Sequence, residues 1–388
     1  MFISVVSSHS SQLGSYFTID HLLKNKAPFL FGYSFILFCR FPTRSMSAKG
    51  LYVDCHYLKI SHKVICIDFF VESIWSKLLF ACIYIIFSGL SYLIDSLILI
   101  EPRPFWAYQA LSSFPLHQKL PYFRNIFLSG DGFLALTLAS SPPWLSLSSS
   151  IKQNLNKRYM NHIKGGLYLY STSRDAIASS KFKKADPTSI IYLLQMYCKQ
   201  SYSSMFCELY DSIDVSIKCF PPAVHSLNVV IFPMTTFSET ARCSLEDEIN
   251  MYVNFLVGIF SDVRFSNCHL LIKPHPGQSF SKSNRLLSRL QALSIIKLHP
   301  LSFSRQSLLG SIPLEILVMH LRDKGCDYIA LISASTSAVP ISLLFKDFVS
   351  FLPAFGRPFL EKLLNDDHLD SRLKQEQLIH SLLSPKQS

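Results

Sequence analysis

Four short stretches hold residue types that can do chemistry. His275 stands between Pro274 and Pro276, directly after the apolar run HLLIK. Proline fixes its own φ and biases the preceding residue towards extended backbone, so this imidazole is held in a stiff, non-helical loop. Ser333, Ser335, Thr336 and Ser337 lie in SASTS, after the apolar run YIALI. Small hydroxyl residues at a strand-to-helix turn combine side-chain donors with free backbone N–H groups, which suits an anion such as a phosphate. A nearby imidazole can give a proton to a departing phosphate oxygen. Glu315, early in PLEILVMHLRDKG, offers a carboxylate to ribose hydroxyls. Asp131 follows NIFLSG and, with Gly132, reads as a turn acid able to act as a general base. Each also has an ordinary role: a strand-ending turn, a helix cap, a complement to a helix dipole, an Asp-Gly turn.

The elements around these residues set their positions. LNVVIF (227–232), HLLIK (269–273), SIIKL (294–298), DYIALIS (327–333) and DFVSFL (347–352) read as strands. Between the first two, Leu245, Ile249, Val253, Leu256 and Phe260 form an apolar stripe behind Ser244, which with Asp247 resembles a capping box. A polar helix is expected near 282–293. Another starts at Pro313 and is closed by Gly325, and SAVPISLLF reads as a third. Continuously apolar strands alternating with helices predict a doubly wound parallel sheet. In such a sheet ligands bind beyond the carboxyl ends of the strands, where His275, SASTS and Glu315 all fall. The first half is less regular: MFISVVSS and NIFLSG read as strands and residues 73–94 as helix, giving a second α/β domain. The expected organisation is a first domain over 1–226, a second over 227–356 and a helical tail over 357–388.

Bulk properties narrow the classes. A chain of 388 residues, 49% apolar and 16% charged, is globular and long enough for two domains. Its net charge of +11 favours anionic partners: nucleotides, acidic polymers or a lipid surface. No RNP-like, helix-turn-helix or zinc-finger signature is present, so nucleic acid is not an expected partner. A basic stretch holds Lys152, Lys157, Arg158, Lys164, Arg174, Lys181, Lys183 and Lys184 against Asp175; it is a solvated face or a surface for an acidic ligand. Ten cysteines, among them Cys39, Cys66, Cys82 and Cys268 in apolar runs, form no disulfide framework and read as reduced, buried thiols of a cytoplasmic protein. The opening MFISVVSS lacks the basic region of a signal peptide and reads as a strand. Residues 78–94 carry no charge before Asp95. That run is near the lower limit for a spanning helix; a buried or membrane-surface helix, peripheral at an anionic inner-membrane surface, is the expectation. No cofactor or metal is expected. Cys55, His56, His62 and Cys66 are ligand types, but their spacing matches no standard zinc site.

Taken in order, the acid-Gly pair at Asp131, the His275-Pro276 dipeptide and the hydroxyl cluster some sixty residues later resemble the bacterial sialyltransferases, and within them the α-2,8-polysialyltransferase family. VVSSHSSQL and IPLEIL add to the likeness, while His299-Pro300 is a second copy of the dipeptide. The resemblance implies an α/β fold of two Rossmann-like domains facing a cleft (GT-B type). It implies transfer of sialic acid from CMP-sialic acid to a glycan or glycolipid hydroxyl, with inversion and without metal. On the same footing, Asp131 would deprotonate the acceptor and His275 would meet the CMP phosphate as general acid. Pro276, Ser333, Ser335, Thr336, Ser337 and Glu315 would hold the nucleotide, with Glu315 at the ribose. One position departs: Gly130 stands where the family's motif carries its first acid, which leaves the base role to Asp131. Two other readings stay open: a GT-B transferase with another donor, such as CDP-glycerol, and a relative that binds a glycan or nucleotide without turnover.

Overall fold

A computed structural model describes residues 2–6, 13–15, 17–19, 21–22, 35–41, 64–70, 73–101, 122–129, 135–136, 159, 161–168, 170–171, 182–184, 186–200, 202–214, 228–239, 243–275, 278–293, 295–333, 339–353, 361, 369–370 and 373. The chain divides into two compact units, Met1–Ile190 and Ile191–Ser388.

The first unit is built on a seven-stranded sheet in the order β3-β2-β1-β4-β5-β7-β9. Its strands are β1 (Phe2–Val6), β2 (Phe35–Phe41), β3 (Val64–Phe70), β4 (Ile98–Glu101), β5 (Ile126–Leu128), β7 (Ile163–Tyr168) and β9 (Phe182–Lys184). All its pairings are parallel. The short strands β6 (Ala135–Leu136) and β8 (Tyr170–Ser171) pair separately. Every residue of β4 is buried, as expected for a strand covered on both faces. Helix α1 (Ile74–Leu90) starts at Ser73, whose side chain accepts the Ser76 N–H at 3.3 Å. It buries only Phe80, Ala81, Tyr84 and Ser88. Cys82, expected to be buried, is exposed because it lies on the outward side of this helix. Among the described residues no helix is long and apolar enough to cross a membrane.

The second unit carries a five-stranded parallel sheet in the order β12-β11-β10-β13-β14. The strands are β10 (Val229–Pro233), β11 (His269–Lys273), β12 (Lys297–Leu298), β13 (Ile329–Ser333) and β14 (Val349–Pro353). They alternate with α4 (Leu245–Phe260), α5 (Phe280–Gln291), α6 (Gln306–Ser311), α7 (Leu314–Asp323) and α8 (Val339–Leu344). The fold class is therefore α/β with two parallel sheets, as the alternation of apolar strands and helices predicts. In both sheets the order runs outward from the first strand to one side and then to the other, with the reversal at β1/β4 and at β10/β13.

Local signals explain the helix boundaries. The Ser244 hydroxyl accepts the Asp247 N–H at 3.1 Å and starts α4. Pro313 caps α7, and Gly325, with φ 91°, lets the chain turn after it in the left-handed region open to glycine. Two helices that precede residue 227, α2 (Pro187–Gln200) and α3 (Ser203–Asp211), reach the second unit. The Phe206 ring stacks on His320 of α7 with centroids 3.6 Å apart, Tyr210 Oη lies 3.1 Å from His320 Nε2, and Arg305 meets Glu208 at 2.5 Å. From the other end of the chain, Leu369 is buried in the core between α4, α5 and the strands β10, β11 and β13.

Ser244→Ala removes a cap of α4 and is expected to destabilise the second unit by about 1 kcal/mol, measured as a shift in its denaturant midpoint. Ser244→Asp should restore most of that loss.

Candidate functional site

The carboxyl ends of three adjacent strands are level. Pro233 pairs with Lys273, and Ile231 with Leu331, so Ser333, two residues further on, stands level with Pro233. Neighbouring strands are about 4.8 Å apart, which puts the end of β11 and the end of β13 roughly 10 Å apart across β10. The strand order reverses between β10 and β13, the point at which open sheets bind ligands.

The loop that carries His275 is fastened to its surroundings. The Met234 N–H donates to Lys273 O at 2.9 Å. The His275 N–H donates to Gln278 Oε1 at 3.0 Å, and the Gln278 N–H returns to His275 O at 3.1 Å. The Gln278 amide also donates to Ser283 Oγ and lies 3.4 Å from Met234 Sδ. His275 itself is exposed. Protein crowding around the ring, then the Lys273 ammonium, push its pKa down to about 4 against the opposing pull of Glu239. The other dipeptide differs: His299 is buried, its Nδ1 accepts the Leu301 N–H at 3.2 Å, and it caps the short helix Pro300–Phe303. Burial, with His269 and His320 adding to it, pushes His299 down to about 3.

Two buried polar groups back the loop. Lys273 Nζ donates to Gly310 O at 3.1 Å and to Pro274 O at 3.5 Å. A Cβ at position 310 would meet Pro274 Cβ and O at 3.4 Å, ordinary van der Waals contact, so Gly310 packs closely on the loop without the approach demanding glycine. Burial pushes Lys273 down to about 8, with Glu315 pulling the other way. Burial pushes Glu315 up to about 7, opposed by its own backbone N–H and by Lys273. The expected ribose acid is thus only 4% exposed and sits behind the loop as the charge partner of Lys273.

A second network ties the loop after β10 to α4 and α5. Lys282 is fully buried and reaches Glu248 at 2.6 Å, Glu239 at 3.0 Å and Thr235 O at 2.7 Å. Glu248, also fully buried, accepts the Ser238 N–H at 2.8 Å, the Thr235 hydroxyl at 3.2 Å and the Tyr252 hydroxyl. Burial and the Glu248 charge raise Tyr252 well above its ordinary pKa. Glu239 accepts the Ser279 N–H at 3.0 Å. Burial pushes Glu239 up, but that bond and Lys282 outweigh it and hold the carboxylate below its ordinary pKa. This network was not read from sequence. Glu248 shares the first turn of α4 with Glu246 and Asp247, where acids complement the helix dipole, and Lys282 falls in the helix expected to be polar. The available signal was the four-residue spacing of Glu248 and Tyr252, which puts both beside the apolar stripe.

One carboxyl edge therefore brings together His275 and the end of the strand that carries Ser333, with Glu315 behind. Ser333 is described as strand backbone. Pro276, Ser335, Thr336, Ser337, Gly130 and Asp131 lie outside the described residues. Asp131 belongs to the first unit, where a further acid escaped the sequence reading. Glu101 ends β4 next to β5, is 1% exposed, and accepts the Tyr159 hydroxyl. Its signal is an acid closing the apolar run ILIE. Cys55, His56 and His62 lie outside the described residues, as does the side chain of Cys66. Among the described residues no group of three or more His, Cys, Asp or Glu could hold a metal ion.

No family model matches the sequence, and a search of curated proteins finds no match. Solved structures give distant likenesses over nearly the whole chain. The UDP-GlcNAc 2-epimerase from Methanocaldococcus jannaschii has 11% identity and a TM-score of 0.47, covering 100% of this chain and 94% of that one. The UDP-GlcNAc 2-epimerase from Neisseria meningitidis, bound to UDP-GlcNAc, has 11% identity and a TM-score of 0.45, covering 98% and 90%. An α,α-trehalose-phosphate synthase (UDP-forming) from Burkholderia vietnamiensis has 11% identity and a TM-score of 0.38, covering 99% and 91%. Likeness at this level says nothing of activity, and the fold class rests on the two parallel sheets themselves.

Two outcomes test this geometry. Lys282→Met leaves Glu248 buried without its cation and should destabilise the second unit by about 3–5 kcal/mol in urea unfolding. Glu315 holds its proton more tightly folded than unfolded, so its contribution to stability falls as pH rises from 4.5 to about 7. Glu315→Gln removes that slope. Relative to wild type it should gain on the order of 3 kcal/mol across this window and stay level just above it. Parallel pH profiles for the two proteins would contradict the assignment.

Proposed function

We propose that this protein is a GT-B-type sialyltransferase. It transfers sialic acid from CMP-sialic acid to a hydroxyl of a glycan or glycolipid, with inversion and without metal. The observation that carries the reading is the level carboxyl edge: register places the His275 loop and the end of β13 on either side of β10, beside the strand-order reversal. About 10 Å separates them, room for a nucleotide monophosphate to lie across the strand end.

In this reading the bond between the anomeric carbon and the CMP phosphate oxygen breaks as the acceptor oxygen bonds to that carbon. Asp131 takes the acceptor proton. Ser335, Thr336 and Ser337 hold the phosphate with hydroxyls and the backbone N–H groups at the start of α8, and Pro276 keeps the His275 loop extended. Glu315, buried behind the loop beside Lys273, steadies the loop rather than meeting the ribose.

His275 needs a proton to act as general acid, and in the free chain its pKa lies low. An arriving phosphate adds negative charge beside the ring and raises that pKa, so donor binding itself brings the proton in. Burial depresses the histidine first, and the Lys273 and Lys282 charges that add to it also favour the anion. One sequence feature favours a second reading: Gly130 in place of the first motif acid fits a relative that binds the nucleotide without turning it over.

Titration calorimetry with CMP and CDP tests the donor class. Wild type should bind CMP more tightly than CDP, and His275→Ala should weaken CMP roughly tenfold. CMP affinity should rise as pH falls, in wild type more than in the variant, because the histidine takes up a proton on binding. Turnover with CMP-sialic acid should drop about 10²–10⁴-fold in the variant. Preference for CDP would assign another donor, and tight CMP binding without product would favour the second reading.

A further inference from the structure

Helix α1 is apolar on the side it buries and on the side it does not. Phe80, Ala81, Tyr84 and Ser88 face inward. Ile74, Trp75, Leu78, Leu79, Ile85 and Ile86 are exposed, Trp75 by 81%. At 3.6 residues per turn these six span an arc of roughly 140°. Cys82 and Gly89 fill the gaps in that arc, so no charged side chain interrupts it. Beyond the helix the face continues through Tyr92 and Leu93, the latter 83% exposed. Single exposed apolar residues are ordinary on a protein surface, whereas a contiguous run along a helix of about 25 Å marks an interaction face.

The charges around the face identify what covers it. Lys77, the one charged residue in α1, is half-buried and lies on the inward side of the helix, between Tyr84 and Ser88 around its axis, so the outward face carries no charge. At the far end Arg124 neutralises Asp95 at 2.7 Å. Tyr92 contacts the ring of His162, just before β7, with centroids 6.4 Å apart, and Lys164, whose charge acts on His162, is exposed. Lys164 thus adds positive charge beside the face, on a chain of net charge +11. Trp75 and Tyr92 stand at the two ends of the face, and such side chains favour the boundary between lipid and water. The helix is too short to span a bilayer, yet long enough to lie in its surface.

We propose that α1 is an interfacial anchor lying in the plane of an anionic lipid surface. The arc from Ile74 to Ile86 meets the acyl chains, and Lys164 meets the headgroups. The inference is independent of the transferase reading.

The full-length protein is sedimented with phosphatidylcholine vesicles, with and without about 30% phosphatidylglycerol. Binding to the anionic vesicles, weakened by salt, is expected. The double variant Leu79→Glu/Ile86→Glu should lower the bound fraction roughly tenfold with an unchanged circular dichroism spectrum. Quenching of tryptophan fluorescence by brominated lipid should fall in Trp75→Leu. Absence of binding to either vesicle, or equal binding by the double variant, overturns the proposal. So does a lipid-free dimer of the wild type that the double variant dissolves, since a second copy of the chain would then own the face.

Discussion

The buried Lys282 is the interaction on which the described site depends. A lysine ammonium cannot be left without partners in a protein interior, and here two carboxylates and a carbonyl surround it. Those partners come from two places in the chain: Glu248 from α4, Glu239 and Thr235 from the loop after β10. Satisfying one charge therefore fixes the loop at the carboxyl end of β10 against both neighbouring helices. Glu239 then passes the constraint on, because it also accepts the Ser279 N–H, where the chain leaves the His275 loop.

The His275 loop inherits its rigidity from both sides. Prolines restrict its backbone, Gln278 closes a reciprocal pair of bonds with it, and Lys273 anchors it to Gly310 from below. The result is an exposed imidazole on an immobilised backbone, surrounded by more positive than negative charge. The two His-Pro dipeptides make the contrast plain. His299 spends its ring nitrogen on a helix cap inside the protein, while His275 presents its ring at the sheet edge where ligands of this architecture bind.

Much of the second unit was legible because its strands are short, wholly apolar runs bounded by polar or proline-rich turns. HLLIK is a strand from its first residue to its last, and Ser244 caps α4 as its spacing predicts. The first unit was harder. Strands β2 (FILFCRF) and β3 (VICIDFF) carry Arg40 and Asp68 inside otherwise apolar runs, which weakens the signal of a buried strand. Glu248 and Lys282 were hidden for a different reason. Each has an ordinary surface explanation in its own helix, and only their meeting across 34 residues makes them buried. Helix α1 was legible as a helix but not in its exposure, since a sequence apolar on all sides contains no period to say which side packs. The residues on which the transfer reading leans, Asp131 and Ser335 to Ser337, were read from motif order alone.

The central claim is that a nucleotide binds at the carboxyl edge between the His275 loop and the end of β13. Hydrogen–deuterium exchange with and without saturating CMP tests it directly. The account predicts slowed exchange confined to the segments 274–280 and 333–340, with the strands beneath unchanged. Protection elsewhere in the chain, with these two segments unaffected, would contradict it.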